Sequence, residues 1–318
     1  MNKILVIGAA GQLGSELVTG LCNTYGKENV IASDIHEKGD FECAYELVNA
    51  LDPVRIENVI QEHDIDEVYH LAAILSAKAE SNPLASWYLN MDSLLNVLEL
   101  GRRKIIKKIY WPSFIAVFGP STPRISTPQS TVMDPNTVYG ISKLAGERWC
   151  EYYNEKHGID VRSLRYPGLI GYKHTPGGGT TDYAVDIYFH AVKNKPFECF
   201  LSPETKLPMM CMDDAVKATI DVMQAPSDRI KIRSSYNLAA FSVTPDSMFN
   251  SIKKKVPDFS ISYKPDFRQA IANSWPVSID DSQARKDWGW KHAFDLDKMT
   301  GAMLDALHAK LNTSDRVF

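Results

Sequence analysis

Lys3-Ile4-Leu5-Val6-Ile7 runs straight into Gly8-Ala9-Ala10-Gly11-Gln12-Leu13-Gly14. A short β-branched run, a turn with three glycines and then an amphipathic stretch from Gln12 to Tyr25 read as strand, tight turn and helix. The glycine spacing suits a phosphate cradle: one glycine makes the turn, one lets backbone approach a pyrophosphate, and one lets the helix pack against the strand. The helix N-terminus then offers free N–H groups to an anion.

The rhythm repeats outward from this stretch. Strands are expected at Val30 to Ser33, Tyr45 to Asn49, Glu67 to Leu71, Lys108 to Trp111 and Asp160 to Arg165, with helices at Val54 to Glu62, Pro83 to Arg102 and Val138 to His157. That alternation predicts an α/β fold: a Rossmann-type doubly wound parallel sheet over residues 1–165. After Arg165 the segment Tyr166 to Thr181 is rich in glycine and reads as a functional loop. Helices at Thr181 to Lys193, Asp213 to Ala225, Pro245 to Lys254, Phe267 to Ser274 and Leu296 to Leu311 follow, with short strands at Cys199 to Leu201, Tyr236 to Ala239 and Ser260 to Tyr263. Residues 166–318 are therefore expected to form a smaller mixed substrate-binding region, with 236–241 a candidate to return to the first sheet.

Composition narrows the function. Thirty-five Lys and Arg against 39 Asp and Glu give a net charge of −4 without long runs of one sign, which does not suit a nucleic-acid binder. The apolar runs are too short to span a membrane and no signal peptide follows Met1, so a cytoplasmic location is expected. The five cysteines have no C-x-x-C pairing and the eight histidines no metal-ligand spacing, so neither a disulfide framework nor a metal site is expected.

Asp34 ends the second strand, 20 residues beyond Gly14. There a carboxylate can accept from both ribose hydroxyls of an adenosine and would repel a 2′-phosphate, which favours NAD over NADP; Lys38 is close enough in sequence to soften that repulsion. Asp52 is placed either to meet the adenine edge or to cap the helix that starts at Pro53. Tyr139 and Lys143 lie four residues apart near the start of a helix and so share one face. A fixed ammonium lowers the pKa of a nearby phenol, which allows the pair to act as general acid and base.

Gly8-x-x-Gly11-x-x-Gly14, Asp34, His70-Leu71-Ala72-Ala73, Asn90, Pro112-Ser113, Tyr139-x-x-x-Lys143 and Asp280 to Trp290 together resemble the extended short-chain dehydrogenases, the class that includes nucleotide-sugar epimerases. A narrower likeness lies in Arg165 to Ile170, Gly177 to Asp186 and Ser274-Trp275-Pro276, which resemble the short-chain-type L-threonine 3-dehydrogenases. Sugar epimerases usually carry an asparagine in the segment matching Pro167-Gly168, and none stands there.

The resemblance implies an NAD-dependent oxidoreductase of threonine catabolism that converts the L-threonine 3-hydroxyl to 2-amino-3-oxobutanoate. It implies that Gly8, Gly11, Gln12 and Leu13 cradle the pyrophosphate, that Asp34 and Ile35 hold the adenosine ribose, and that Leu71, Ala72, Ala73 and Asn90 line the dinucleotide's path. Tyr166, Gly168, Leu169 and Ile170 are implied at the nicotinamide end. Lys143 is implied to grip the ribose and ionise Tyr139, the general base. Ser76, Gly178, Thr180, Thr181 and Trp275 are candidate substrate partners, with Gly177 to Gly179 a candidate nest for the substrate carboxylate. A homodimer through the helices Pro83 to Arg102 and Val138 to His157 is a further expectation.

One residue departs from the pattern. The hydroxyl that usually accompanies the tyrosine would fall at position 114, where this chain has Phe114. Ser113 is the nearest replacement, although neighbouring residues of a strand face opposite ways, which leaves a local bulge, another hydroxyl such as Ser76 or Thr181, or a reduced turnover as the alternatives. Two other readings remain open on the sequence: a nucleotide-sugar epimerase or dehydratase of the same fold, and a non-catalytic NAD-binding protein, which only Phe114 favours.

Overall fold

The computed structural model describes residues 2–37, 39–175 and 177–314; Lys38 lies outside them. The quoted stretch forms β1 (Ile4–Ile7) and α1 (Gln12–Tyr25). β2 (Val30–Asp34), β3 (Ala44–Leu47), α2 (Pro53–Glu62), β4 (Glu67–His70), α3 (Ser76–Ser81), α4 (Pro83–Arg102), β5 (Lys108–Phe114), α5 (Val138–His157) and β6 (Asp160–Tyr166) follow.

These strands pair in parallel in the order β10-β6-β5-β4-β1-β2-β3, where β10 is Tyr236–Asn237. The sheet has seven strands, and the order turns back at β1, between β2 and β4. In a doubly wound sheet that switch opens a crevice at the carboxyl ends of the strands, where ligands bind. Alternation sets the two faces: Ile4 and Val6 pack with Leu17, Leu21 and Ala215, while Leu5 and Ile7 pack with Ile56, Val59 and Val97. Each such buried aliphatic side chain contributes about 1.5–3 kcal/mol.

The second half gives β7 (Gly168–Ile170), α6 (Tyr183–Ala191), β8 (Phe197–Cys199), β9 (Leu207–Cys211), α7 (Met212–Gln224), β11 (Phe241–Val243), α8 (Pro245–Lys253), β12 (Ile261–Tyr263), α9 (Arg268–Ser274), α10 (Ser282–Trp288) and α11 (Leu296–Ser314). β11, β9 and β7 form a small mixed sheet, and β12 pairs with β8. The division at residue 165 is crossed: Tyr236 and Asn237 pair with Leu164 and Arg165, and α7 packs on α1, where Val216 lies against Gly20.

Two expectations for this half are corrected. Gly168–Ile170 is not loop but strand, since Gly168 accepts Met209 so closely that an added Cβ would sit 2.2 Å from its sulfur. The strand expected at Cys199 to Leu201 lies at Phe197–Cys199, in register with Ile261 to Tyr263.

Candidate active site

Gly8 turns the chain out of β1 at φ +90, and its N–H and that of Ala9 both donate to the Ser33 carbonyl at 2.9 Å. A Cβ on Gly14 would lie 2.2 Å from the Gly8 carbonyl oxygen, so this glycine is required by the protein's own packing. Gly11 is different. A Cβ there would meet only the Gly8 carbonyl, at 3.4 Å, and would otherwise project into open space. Gly11 also caps α1 with no side chain accepting from the first turn and no acidic residue in it. Bare N–H groups at a helix start, facing space that a methyl group would fill, fit a pyrophosphate.

A cavity of about 380 Å³ extends from this turn, in the size range of small-molecule sites. Gly8, Gly11, Gln12, Leu13, Leu71, Ala73, Ser76, Ser113, Tyr139, Lys143, Tyr166, Leu169 and Thr181 all border it, so the fold brings most of the sequence-derived residues together. Others support the wall from behind. Ala72 packs its backbone on Gly8, Gly168 lies against Thr181, and Ile170 is wholly buried in the core under the small sheet. Asn90 accepts from the Ile74 N–H at 2.8 Å and donates to its carbonyl at 3.2 Å, which pins the loop after β4 instead of facing the cavity.

Asp34 is tied to the cradle by the Ala10 N–H at 3.0 Å and to Ile35 by that residue's N–H at 2.8 Å. The Ile35 side chain is exposed. Asp52 caps α2, accepting from the Arg55 N–H at 3.0 Å. Of the two roles open to it, the structure displays the cap.

Tyr139 and Lys143 stand in the first turns of α5, which Thr137 caps by accepting from the Gly140 N–H at 3.1 Å. Gly140 lets the helix close on the chain after β5; a Cβ there would lie 2.1 Å from the Ala116 carbonyl oxygen. Both side chains are buried. Lys143 Nζ donates to the Pro112 carbonyl at 2.6 Å and lies 4.3 Å from the Trp111 ring centroid and 5.5 Å from that of Tyr139. Burial lowers Lys143 to about 7 and raises the Tyr139 phenol above its ordinary range. Desolvation thus sets both groups in the free protein, contrary to the simple picture in which the ammonium alone ionises the phenol.

The Ser113 hydroxyl donates to Glu147 Oε1 at 2.6 Å, and the same carboxylate takes two N–H groups of Arg165, at 2.7 and 2.6 Å. No bulge turns it toward Tyr139: Pro112, Ser113 and Phe114 pair in regular register with Leu164, Arg165 and Tyr166. Phe114 is the residue that reaches the phenol, edge-on at 6.0 Å between ring centroids, and it meets Trp275 at 5.6 Å on its other side. Ser76 and Thr181 place side-chain hydroxyls on the cavity wall, and the buried Thr180, which does not border it, lies behind Ser76 with their oxygens 3.4 Å apart.

Trp275 is buried and its indole N–H has no partner among the described residues. The expectation of an open nest at Gly177 to Gly179 is corrected. The Asp182 carboxylate accepts from the Gly178 and Gly179 N–H groups, both at 2.7 Å, so the concavity is filled from within the chain. Sequence reasoning had no part for Asp182, His174 or Thr175, all of which border the cavity. The glycine run was their only signal. Among the described residues one cluster has the composition of a metal site, Glu46, Glu62 and His63; the Arg55 guanidinium already pairs with both glutamates.

The parallel sheet, the glycine cradle and the tyrosine–lysine pair define a dinucleotide-dependent enzyme. The sequence profile of the NAD dependent epimerase/dehydratase family matches residues 4–239, and the chain belongs to that family. NAD is its cofactor, and the residues of the cradle fit it. An uncharacterized epimerase/dehydratase of Staphylococcus saprophyticus is 45% identical over 315 residues, 98% of each chain. Among solved structures, a partial consensus L-threonine 3-dehydrogenase is 56% identical with a TM-score of 0.95, over 96% of this chain and 99% of that one. The holo form of an L-threonine dehydrogenase from Cupriavidus necator is 54% identical, with the same TM-score and coverage.

Proposed function

We propose that this chain oxidises the 3-hydroxyl of L-threonine to a ketone, giving 2-amino-3-oxobutanoate, as an NAD-dependent L-threonine 3-dehydrogenase. The observation that carries this reading is the likeness to the two threonine dehydrogenases, 54–56% identical over nearly the full length of both chains. The cavity wall supports it, since Ser76 and Thr181 offer hydroxyls in the same cavity as Tyr139.

NAD, when bound, supplies the hydride acceptor. Everything else falls to the protein. Tyr139 takes the hydroxyl proton, and Lys143 balances the phenolate as it forms and holds the ribose of the nicotinamide end. Ser76 and Thr181 orient the reacting oxygen, because the Ser113 proton is already held by Glu147. The substrate carboxylate cannot be buried bare, and the Trp275 indole N–H, without a partner among the described residues and packed against the cavity-lining Phe114, is a candidate donor for it. Phe114 and Trp275 wall off the apolar side and exclude water.

A Tyr139→Phe variant tests the mechanism: L-threonine oxidation should fall by at least about 10²-fold while NADH binding persists, the range for a lost general base. Full activity in that variant would remove Tyr139 from the reaction. A second reading, epimerisation or dehydration of a nucleotide-sugar, is favoured by the family's breadth and by the naming of the staphylococcal relative.

We propose in addition that two chains associate through α4 and α5. Leu84, Tyr88, Trp149 and Tyr152 are exposed apolar side chains on those two helices, which pack together.

A further inference from the structure

The diphosphate of NAD brings two negative charges to the first turn of α1, and helix N–H groups carry only a partial positive charge. Four charged or protonatable groups besides Tyr139 border the cavity: Lys143, Asp182, His174 and the Tyr166 phenol, which burial keeps neutral. Lys143 is held on the Pro112 carbonyl beside Tyr139, at the reacting end. Asp182 is an anion already engaged by Gly178 and Gly179. His174 is the remaining group that can become a cation.

Its loop is strapped across the start of α1. Gln12 Nε2 donates to the Thr175 carbonyl at 3.4 Å, and Lys173 Nζ pairs with Glu16 at 2.8 Å and reaches Thr19 at 3.2 Å. Lys310 of α11 holds the same loop from behind by donating to the Lys173 carbonyl at 3.0 Å. His174 shares with Gln12 and Glu16 a second, smaller cavity, and it borders the main one together with Gly8 and Gly11. His174 thus stands beside the first turns of α1, on the wall of the cavity that the glycine turn also borders.

We propose that His174 is a cofactor-binding residue of this chain, closing on the diphosphate of NAD as an imidazolium, so that the dinucleotide binds together with a proton. The inference rests on the NAD cofactor and not on the choice of threonine as substrate.

In the free protein His174 lies below its ordinary value: burial lowers it, Glu16 on α1 raises it, and Lys310 on α11 and the adjacent Lys173 lower it. The Asp182 carboxylate, the Lys143 ammonium and the neutral phenols of Tyr139 and Tyr166 border the same cavity. Two phosphate charges alongside would raise it. Affinity therefore increases as pH falls from above the bound-state value toward the free-state value, and levels off below that.

The test is calorimetric binding of ADP-ribose to the full chain between about pH 5.5 and about pH 8.5, with adenosine as the ligand lacking the diphosphate. ADP-ribose keeps both diphosphate charges across that range, so any change reports on the protein. Wild type should bind about fivefold more tightly at the acid end, the scale of one partly exposed charge-assisted contact, and should take up protons when measured in buffers of different ionisation enthalpy. His174→Gln should show a clearly smaller difference and a smaller proton uptake than wild type, while His174→Lys should bind more tightly than His174→Gln at the alkaline end. Titration of Lys143 is common to all three proteins and cancels in the comparison. A His174→Gln protein with the wild-type slope and proton uptake would overturn the proposal, as would a His174→Lys protein no tighter than His174→Gln at the alkaline end. L-Threonine takes no part in these measurements, so failure of the substrate assignment leaves their outcome unchanged.

Discussion

Ser113 donates its hydroxyl proton to Glu147 across 2.6 Å, in a buried cluster that Arg165 completes. A serine so placed serves the fold before it serves a substrate. Ser113→Ala should therefore cost about 1–3 kcal/mol of stability, the penalty for leaving a buried acceptor short of a donor, and should lower turnover by less than about tenfold. Chemical denaturation alongside steady-state rates checks both. A fall of about 10²-fold in rate at unchanged stability would instead put the hydroxyl on the reacting oxygen.

Gly11 and Gly14 belong to one motif and should fail in different ways. Gly14→Ala drives a methyl group to within 2.2 Å of the Gly8 carbonyl oxygen and should destabilise the protein by about 3 kcal/mol. Gly11→Ala meets only a contact at 3.4 Å, so it should fold normally and lose NADH affinity by about tenfold or more. Thermal unfolding and NADH fluorescence titration separate the two effects. Equal stability losses would contradict the account of the cradle.

The depressed Lys143 predicts a pH dependence of stability. Its value is lowered from 10.5 to about 7 in the folded protein, so above about 7 the unfolded chain binds the extra proton. Stability of the NAD-free protein should therefore rise with pH through that window, with a slope of up to about 1.4 kcal/mol per unit, and the benefit should be absent below it. Denaturation midpoints between about pH 7 and about pH 8.5, taken before most thiols ionise, should show the rise in wild type and a flatter line in Lys143→Met. An identical slope in the variant would show that other groups carry it.

Association through α4 and α5 is checked by sedimentation. Wild type should sediment at twice the 35.6 kDa chain mass, and Tyr88→Glu with Trp149→Glu should sediment as one chain. A wild-type monomer at micromolar concentration would remove this proposal.

Much of this architecture was legible because periodicity and glycine chemistry act locally. Lys3 to Gly14 specified strand, turn and helix without help from elsewhere, and the rhythm of buried runs up to Arg165 located the strands and helices of the central sheet, though not their order across it. The small sheet escaped because its strands depend on distant partners. Gly168–Ile170 looks like loop until Met209 is placed against it, and Leu207–Cys211 lacks the alternation that marks a half-exposed strand because all five residues are buried. For the site, spacing on one helix located Tyr139 and Lys143. It could not show that burial would dominate their ionisation, that Glu147 would hold Ser113, or that Asp182 would fill the glycine nest, since each depends on contacts far apart in sequence or on the depth of the cavity.

The central claim is the identity of the substrate. Purified protein with NAD should generate NADH, followed by its absorbance at mildly alkaline pH, when L-threonine is added, with far slower rates for L-serine, D-threonine and 3-hydroxybutyrate. No NADH from L-threonine, together with turnover of a nucleotide-sugar by the same preparation, would contradict it.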